Sequence, residues 1–433
     1  MLRGRRAYIS LMAGTRRTSW VWIVFAAVIG AMLITPATVA AVRLTAAPPG
    51  ATVSIHAPAT LLVDGKAPPP LPVPTRGSFA LATSLNGMVA SRDATAVRPI
   101  GSVAKAMTAL VVLSVYPLEL NGVGPSVAMT NQDVLLYRQA VAEGGSNIRV
   151  RAGEVLTERD LLLALLLPSA DNIAETLAAW VSGDRSAFIA RLNATAVAMG
   201  MRHTHFADPS GLSVRTVSTA LDLVVLARAV IANPALAGVV STAHAALPDG
   251  TVLNNLDILL AVQAGWLGIK TGWTGAAGGC LLFADRTSYD TGQVVTVWGA
   301  VLGQPPLASG DPAHPELGQA FAAARSAVVA ALDTYASVDL GALRPQVSGS
   351  ISTRWGPGSD VLISTHAPAL AFVRAGALLR LHLTVLSPRA PIAPGATIAE
   401  ITGVLNAKTS ITWKVVSTSA IAAPTPWWKL FSA

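Results

Sequence analysis

The sequence predicts a mixed α/β protein in three parts: an apolar N-terminal helix, a large body of strands and helices, and a small trailing all-β domain. Three observations carry this expectation. One apolar stretch, 20–42, has the ~20 residues that a bilayer-spanning helix needs. From Phe79 to about Ala336, strand and helix patterns alternate. Over about 338–420 the pattern becomes short apolar–polar alternations between Gly and Pro turns, as antiparallel strands require.

Composition sets the outer limits. The chain is 433 residues long, 52% hydrophobic and 12% charged, which excludes a disordered chain. The single cysteine, Cys280, excludes an intramolecular disulfide and a cysteine-based zinc site. The seven histidines form no HExxH pattern, and neither a metal nor a cofactor is expected. The net charge is +8, but Arg3, Arg5, Arg6, Arg16 and Arg17 all precede residue 20. Only +3 remains for the rest, with no basic patch, so no nucleic-acid partner is expected.

The elements follow in chain order. Residues 1–19 form a basic cytoplasmic lead, because positive charge before an apolar segment stays inside. Residues 20–42 read as a transmembrane signal anchor, placing the body outside the cytoplasm at the cell membrane. The alternative is a signal peptide cut near Val39-Ala40-Ala41, giving a secreted protein. Residues 43–76 are rich in Pro and Ala and read as a linker. The body spans 77–337, with helices expected over Leu161–Trp180 and Ser218–Ala232 and a strand from Val294. The β domain covers 338–423. The aromatic tail 424–433 is expected to meet the membrane interface, where Trp is favoured.

Three short motifs carry chemistry. Ser102 and Lys105 lie one turn apart on one face of an otherwise apolar helix. Burial there favours a neutral lysine, which can take the serine's proton and create a nucleophile without histidine. A lone S-x-x-K is weak, with about 0.4 chance matches expected. Lys270, Thr271 and Gly272 form K-T-G on a strand before a Gly-rich turn, expected by chance only about 0.03 times. The lysine and the threonine hydroxyl suit a substrate carboxylate. Between these motifs, Pro168 breaks an apolar helix, and Ser169, Asp171 and Asn172 precede the next one. On its own this third element reads as a helix cap.

In this order the three motifs resemble those of the penicillin-recognising serine peptidases. More narrowly, the sequence is similar to low-molecular-weight D-alanyl-D-alanine carboxypeptidases over about residues 79–305. Gly145-Ser146, Gly153-Glu154, the run from Asp160 to Ser169, the stretch from Gly200 to Leu212 and Ser218–Leu223 also match. The resemblance implies a DD-peptidase/β-lactamase-like domain with an antiparallel sheet flanked by helices. It implies a serine-type carboxypeptidase that removes the terminal D-alanine from peptidoglycan stem pentapeptides through an acyl-enzyme, and that β-lactams inhibit. Ser102, Lys105 and Ser169 would be catalytic. Lys270, Thr271, Gly272, Trp273, Asp171 and Asn172 would bind substrate, with the backbone N–H groups of Ser102 and Trp273 holding the oxyanion.

Two alternatives stay open: a DD-transpeptidase of the same fold, and a non-catalytic protein that binds β-lactams or cell wall. The E-x-x-L-N stretch of a class A β-lactamase is absent. One departure from the family is clear. The usual second motif is Ser-x-Asn, whereas this chain reads Ser169-Ala170-Asp171-Asn172. Gapless alignment of Leu-Pro-Ser puts Asp171 at the motif position; a one-residue shift of the loop would instead bring Asn172 inward.

Overall fold

A computed structural model describes residues 16–63, 69–306, 315–364, 368–406 and 409–432. The expected cytoplasmic lead lies outside the described residues up to position 15. The chain forms two compact units: Pro68–Ser337 with Phe372–Ala375, and the remainder, which joins Met1–Ala67 to Val338–Ala371 and Gly376–Ala433.

The larger unit is built on a five-stranded sheet. Its order is Trp266–Thr274, Gly278–Ser288, Val294–Gln304, Ser78–Thr83, Gly87–Arg92, and every neighbouring pair is antiparallel. Side chains alternate across the strands. Phe79, Leu81, Leu281 and Phe283 face a cluster that includes the helix Gly318–Leu332. Ala80, Ala82, Cys280 and Leu282 face the other cluster, with the helices Ala104–Val115, Glu158–Leu166, Asp171–Ser182 and Ala220–Ala232. The sheet is therefore sandwiched between helical layers, as expected. Strand Trp266–Thr274 stands at the sheet's edge, so one of its sides is free to face the segment around Ser102.

The expected helix Leu161–Trp180 is two helices, Glu158–Leu166 and Asp171–Ser182. Pro168 cannot continue the first, and Ser169 adopts a left-handed conformation with φ 69°. Thr157 caps the first helix by accepting from the Asp160 N–H, while the Asp160 carboxylate accepts from the Thr157 N–H. The expected helix from Ser218 begins at Ala220, capped by the Thr219 hydroxyl.

The smaller unit holds a seven-stranded sheet. Its order is Thr52–His56, Ser348–Ser352, Ser359–Ile363, Thr409–Ser417, Thr397–Asn406, Leu378–Val385, Thr60–Leu62. This corrects one sequence expectation. Residues 43–76 are not simply a linker, because they supply both edge strands of this sheet. Thr52 pairs with Ser352, and Leu62 with Leu378. The segment Thr-Val-Ser-Ile-His alternates like any half-buried strand, but its Pro- and Ala-rich surroundings mask it. The helix Arg16–Thr45 is exposed along its described side chains and runs unbroken through Pro36 and through Val39–Ala41. Its Trp20–Thr45 portion is long and apolar enough to cross a membrane.

Candidate active site

Ser102 sits in a short 3-10 turn, Gly101–Val103, that leads directly into the helix Ala104–Val115. One turn later Lys105 is fully buried, among the apolar side chains that give this helix its central position. An amine so placed needs acceptors, and three are present. Lys105 Nζ donates to Asp171 Oδ1 at 2.6 Å, to Ser102 Oγ at 2.7 Å and to the Ser210 carbonyl at 3.1 Å. The first contact is a buried ion pair.

The break between the two helices presents the second group. Ser169 is buried, and its Oγ has no hydrogen-bond partner. Asp171 opens the following helix, and its N–H donates to the Ser146 carbonyl at 2.7 Å. A Cβ on Gly145 would lie 2.5 Å from Asp171 Oδ2, so the Gly145-Ser146 loop closes directly over the carboxylate. Asn172 turns elsewhere. Its amide donates to the Ile148 carbonyl at 2.9 Å and accepts from the Ile148 N–H at 3.0 Å. The gapless reading is therefore the one the fold adopts. Asp171 faces Lys105, while Asn172, expected to bind substrate, instead ties down the loop at residue 148.

Strand Trp266–Thr274 closes the site. Gly272 passes so near the 3-10 turn that a Cβ there would lie 2.8 Å from the Ile100 carbonyl oxygen and 3.1 Å from the Ser102 nitrogen. A Cβ on Gly101 would likewise lie 3.1 Å from the Trp273 nitrogen. Only glycines permit this approach, which brings the backbone nitrogens of Ser102 and Trp273 into one neighbourhood. Lys270 and Thr271 are both buried, and Lys270 Nζ donates to the Thr271 carbonyl at 3.0 Å and to its hydroxyl at 3.3 Å. Burial first, and the charge of Lys105 second, hold Lys270 well below the ordinary lysine pKa; Asp171 and Asp257 oppose this. Trp273 leaves its side chain 49% exposed.

The structure thus brings Ser102, Lys105 and Asp171 into direct contact, sets Gly272 and Trp273 against the Ser102 turn and puts Lys270 within reach of the Lys105 charge, with Ser169 and Thr271 as chain neighbours of Asp171 and Lys270; Asn172 lines the cavity beside Asp171, but its amide is spent on Ile148. Sequence reasoning missed the Ser210 carbonyl. Its loop is held by Asp208, whose carboxylate accepts from the hydroxyls of Ser210, at 2.8 Å, and Thr216. The loop is anchored to the Ser102 helix by Thr108, which donates to the Pro209 carbonyl at 2.7 Å. The stretch from Gly200 to Leu212 was a signal for this loop, but a backbone acceptor leaves no residue type to read. A cavity of about 440 Å3 opens beside Asp171 and Ser210, and another of about 480 Å3 beside Trp273 and Arg98. Among the described residues no group of three His, Cys, Asp or Glu could hold a metal ion.

Chemically, a buried amine touching a serine hydroxyl, with a second buried amine on the facing strand, can activate a nucleophile and receive an anionic substrate. Comparison with known proteins agrees. A family model described as D-alanyl-D-alanine carboxypeptidase matches residues 79–303. A D-alanyl-D-alanine endopeptidase of Pseudomonas aeruginosa is 34% identical over 225 residues, which is 50% of this chain and 69% of that protein. A D-alanyl-D-alanine carboxypeptidase of Mycobacterium tuberculosis is 35% identical over 216 residues, or 48% and 69% of the two chains. Among solved structures, an evolved penicillin-binding protein homologue from Mycobacterium tuberculosis is similar, with a TM-score of 0.51 and 29% identity. It covers 62% of this chain and 96% of its own.

Proposed function

The chain belongs to the D-alanyl-D-alanine carboxypeptidase family, and from that membership we propose that it is a serine-type carboxypeptidase removing the terminal D-alanine from peptidoglycan stem pentapeptides. The observation that carries this is the 2.7 Å contact between Lys105 Nζ and Ser102 Oγ, in a buried setting beside K-T-G.

In this reading Ser102 Oγ attacks the carbonyl carbon of the penultimate D-alanine, and the amine form of Lys105 takes the hydroxyl proton. The Ser102 and Trp273 N–H groups stabilise the oxyanion. Lys270 and the Thr271 hydroxyl hold the substrate's terminal carboxylate. The proton taken by Lys105 returns through Ser169 Oγ, buried and unpartnered, which gives its own proton to the departing D-alanine nitrogen as it receives the one from Lys105. The C–N bond breaks, and water then opens the ester to give the tetrapeptide. A β-lactam presents a carbonyl and a carboxylate in a similar relation but keeps its leaving group tethered, so its ester persists.

A second reading has its own support. The relative from Pseudomonas aeruginosa bears the name endopeptidase, and both outcomes use the same acyl-enzyme chemistry. The helix Trp20–Thr45 serves in either reading as the anchor that keeps the body outside the cytoplasm.

The test is product analysis. Purified protein is incubated with a stem pentapeptide and, separately, with a cross-linked dimer. Release of one D-alanine from the pentapeptide supports the carboxypeptidase, and cleavage of the dimer alone supports the endopeptidase. Ser102→Ala should abolish both reactions and covalent labelling by penicillin; labelling that survives removes Ser102 from its role.

A further inference from the structure

The end of the helix Arg16–Thr45 and the short helix Pro426–Phe431 cap one another. Arg43 Nη1 donates to the Leu430 carbonyl at 2.7 Å. In return, Lys429 Nζ donates to the Leu44 and Ala46 carbonyls at 2.9 and 3.1 Å. Each cation thus satisfies carbonyls that the other segment leaves open at its end. The Thr425 hydroxyl caps the second helix by accepting from the Trp428 N–H at 3.2 Å. Trp428 meets Trp355 edge-on at 5.1 Å, and the Trp355 indole donates to the Ala422 carbonyl at 2.8 Å.

Between these parts lies a cavity of about 530 Å3, lined by Arg43, Arg354, Trp428 and Lys429 together with the turn through Pro48 and Pro49. Among the described residues three cations line it and no carboxylate does. Among the described residues none of the three forms an ion pair. Arg43 and Lys429 are already fixed by backbone carbonyls, so their placement does not depend on an occupant. Like charges brought together repel, and an anion between them relieves that repulsion. Trp427 and Phe431 stack on each other at 5.1 Å beside the cavity and are 72% and 71% exposed.

We propose that this cavity binds the phosphate-bearing headgroup of an anionic lipid. Arg43 lies in the last turn of the one unbroken helix, among the described residues, that is long and apolar enough to span a bilayer. Where that helix spans, its end lies at the depth of the headgroup phosphates. The exposed Trp427–Phe431 pair then sits where interfacial aromatics are favoured. A phosphodiester fits the site's chemistry, because guanidinium forks match its paired oxygens. The inference rests on the helix being retained as an anchor and is independent of the peptidase reading.

The test uses the full-length protein. It is reconstituted in vesicles of equimolar phosphatidylcholine and phosphatidylglycerol, flotation confirms insertion, and the lipids retained after detergent extraction are counted by native mass spectrometry. Phosphatidylglycerol should be retained over phosphatidylcholine by about tenfold. Arg354→Ala, an exposed position, should lower that preference about fivefold, the equivalent of about 1 kcal/mol for one cation. Arg380→Ala, outside the cavity, should leave it intact. Added inorganic phosphate should not displace the lipid; displacement with phosphate adducts in its place would make this a free-phosphate site and overturn the lipid assignment. Equal retention of both lipids by inserted protein, or no change in Arg354→Ala, also overturns it.

Discussion

Lys105 Nζ stands 2.6 Å from Asp171 Oδ1 and 2.7 Å from Ser102 Oγ, so one buried amine is shared between a carboxylate and the candidate nucleophile. The sharing sets a conflict. A general base needs its lone pair aimed at the hydroxyl, whereas Nζ here also points a proton at the carboxylate. Asp171 holds the lysine in place and at the same time opposes its use.

Asp171→Asn should separate these two effects. Acylation by penicillin should be preserved, or raised by up to about tenfold, because a neutral amide competes less strongly than a carboxylate for the protons on Lys105 Nζ. Thermal stability should fall by about 3 kcal/mol, because one partner of a buried ion pair is gone. Stopped-flow acylation and melting curves read the two separately. A rate that collapses while the melting point holds would assign Asp171 a direct catalytic part.

Asn172→Ala should do the reverse. It strips the Ile148 N–H and carbonyl of their partners, at a cost of about 1–3 kcal/mol. The acylation rate of the remaining folded protein should change less than about threefold. A large rate loss at unchanged stability would bring Asn172 back to the substrate.

Lys270 predicts a pH dependence. Burial and the charge of Lys105 depress its pKa well below the lysine value of 10.5. A carboxylate ligand favours the charged form, so binding takes up a proton. Affinity for penicillin should therefore fall as pH rises through the depressed pKa, well before pH 10.5. For stability the unfolded chain binds the extra proton, so this group's contribution rises with pH between the depressed value and 10.5. Lys270→Arg should move the alkaline limb of acylation upward, since arginine stays charged. An alkaline limb that does not move would refute the assignment.

Gly272→Ala tests the close approach of the edge strand. A Cβ at 2.8 Å from the Ile100 carbonyl oxygen forces the strand away from Ser102. Displacing reacting groups by about 1 Å costs about a hundredfold in rate. Gly275→Ala is the control, because nothing lies within 4 Å of a Cβ there. Equal acylation rates in the two variants would show that the strand has room to spare.

Glu158 makes a prediction about stability alone. It is fully buried, neither of its oxygens has a partner, and burial raises its pKa from 4.5 to about 7. Between those values the folded chain keeps a proton that the unfolded chain has released. Stability therefore falls as pH rises across this window and levels off above it. Glu158→Gln cannot ionise, so its melting point should gain on the wild type across the same window. By pH 8 the gain should reach on the order of 3 kcal/mol. A pH-independent difference between the two proteins would contradict this.

Much of the site is legible in the sequence because its chemistry needs particular side chains at fixed helical or strand offsets. Ser102 and Lys105 declare themselves that way, and so do Lys270, Thr271 and Gly272. What the sequence leaves open is orientation. Asp171 and Asn172 are neighbours on the first turn of a helix, and which one faces Lys105 depends on the left-handed turn at Ser169, a conformation residue type does not specify. The Ser210 carbonyl is hidden for a related reason, since every residue carries one. The strands Thr52–His56 and Thr60–Leu62 are too short for periodicity to stand out, and only their distant partners define them.

Those two strands give the chain an order of assembly. Thr52 and its partner Ser352 are about 300 residues apart, so the whole catalytic body is an insertion within the smaller unit. As the chain emerges from the ribosome, the first edge strand must wait until residues near 348 appear. The intervening body has its own core and can fold during that wait. Doubling a flexible loop costs only about 0.6 kcal/mol of closure entropy, so the insertion weighs on the rate of assembly more than on its equilibrium. An early stop before residue 348 would leave a peptidase body attached to a strand with nothing to pair with.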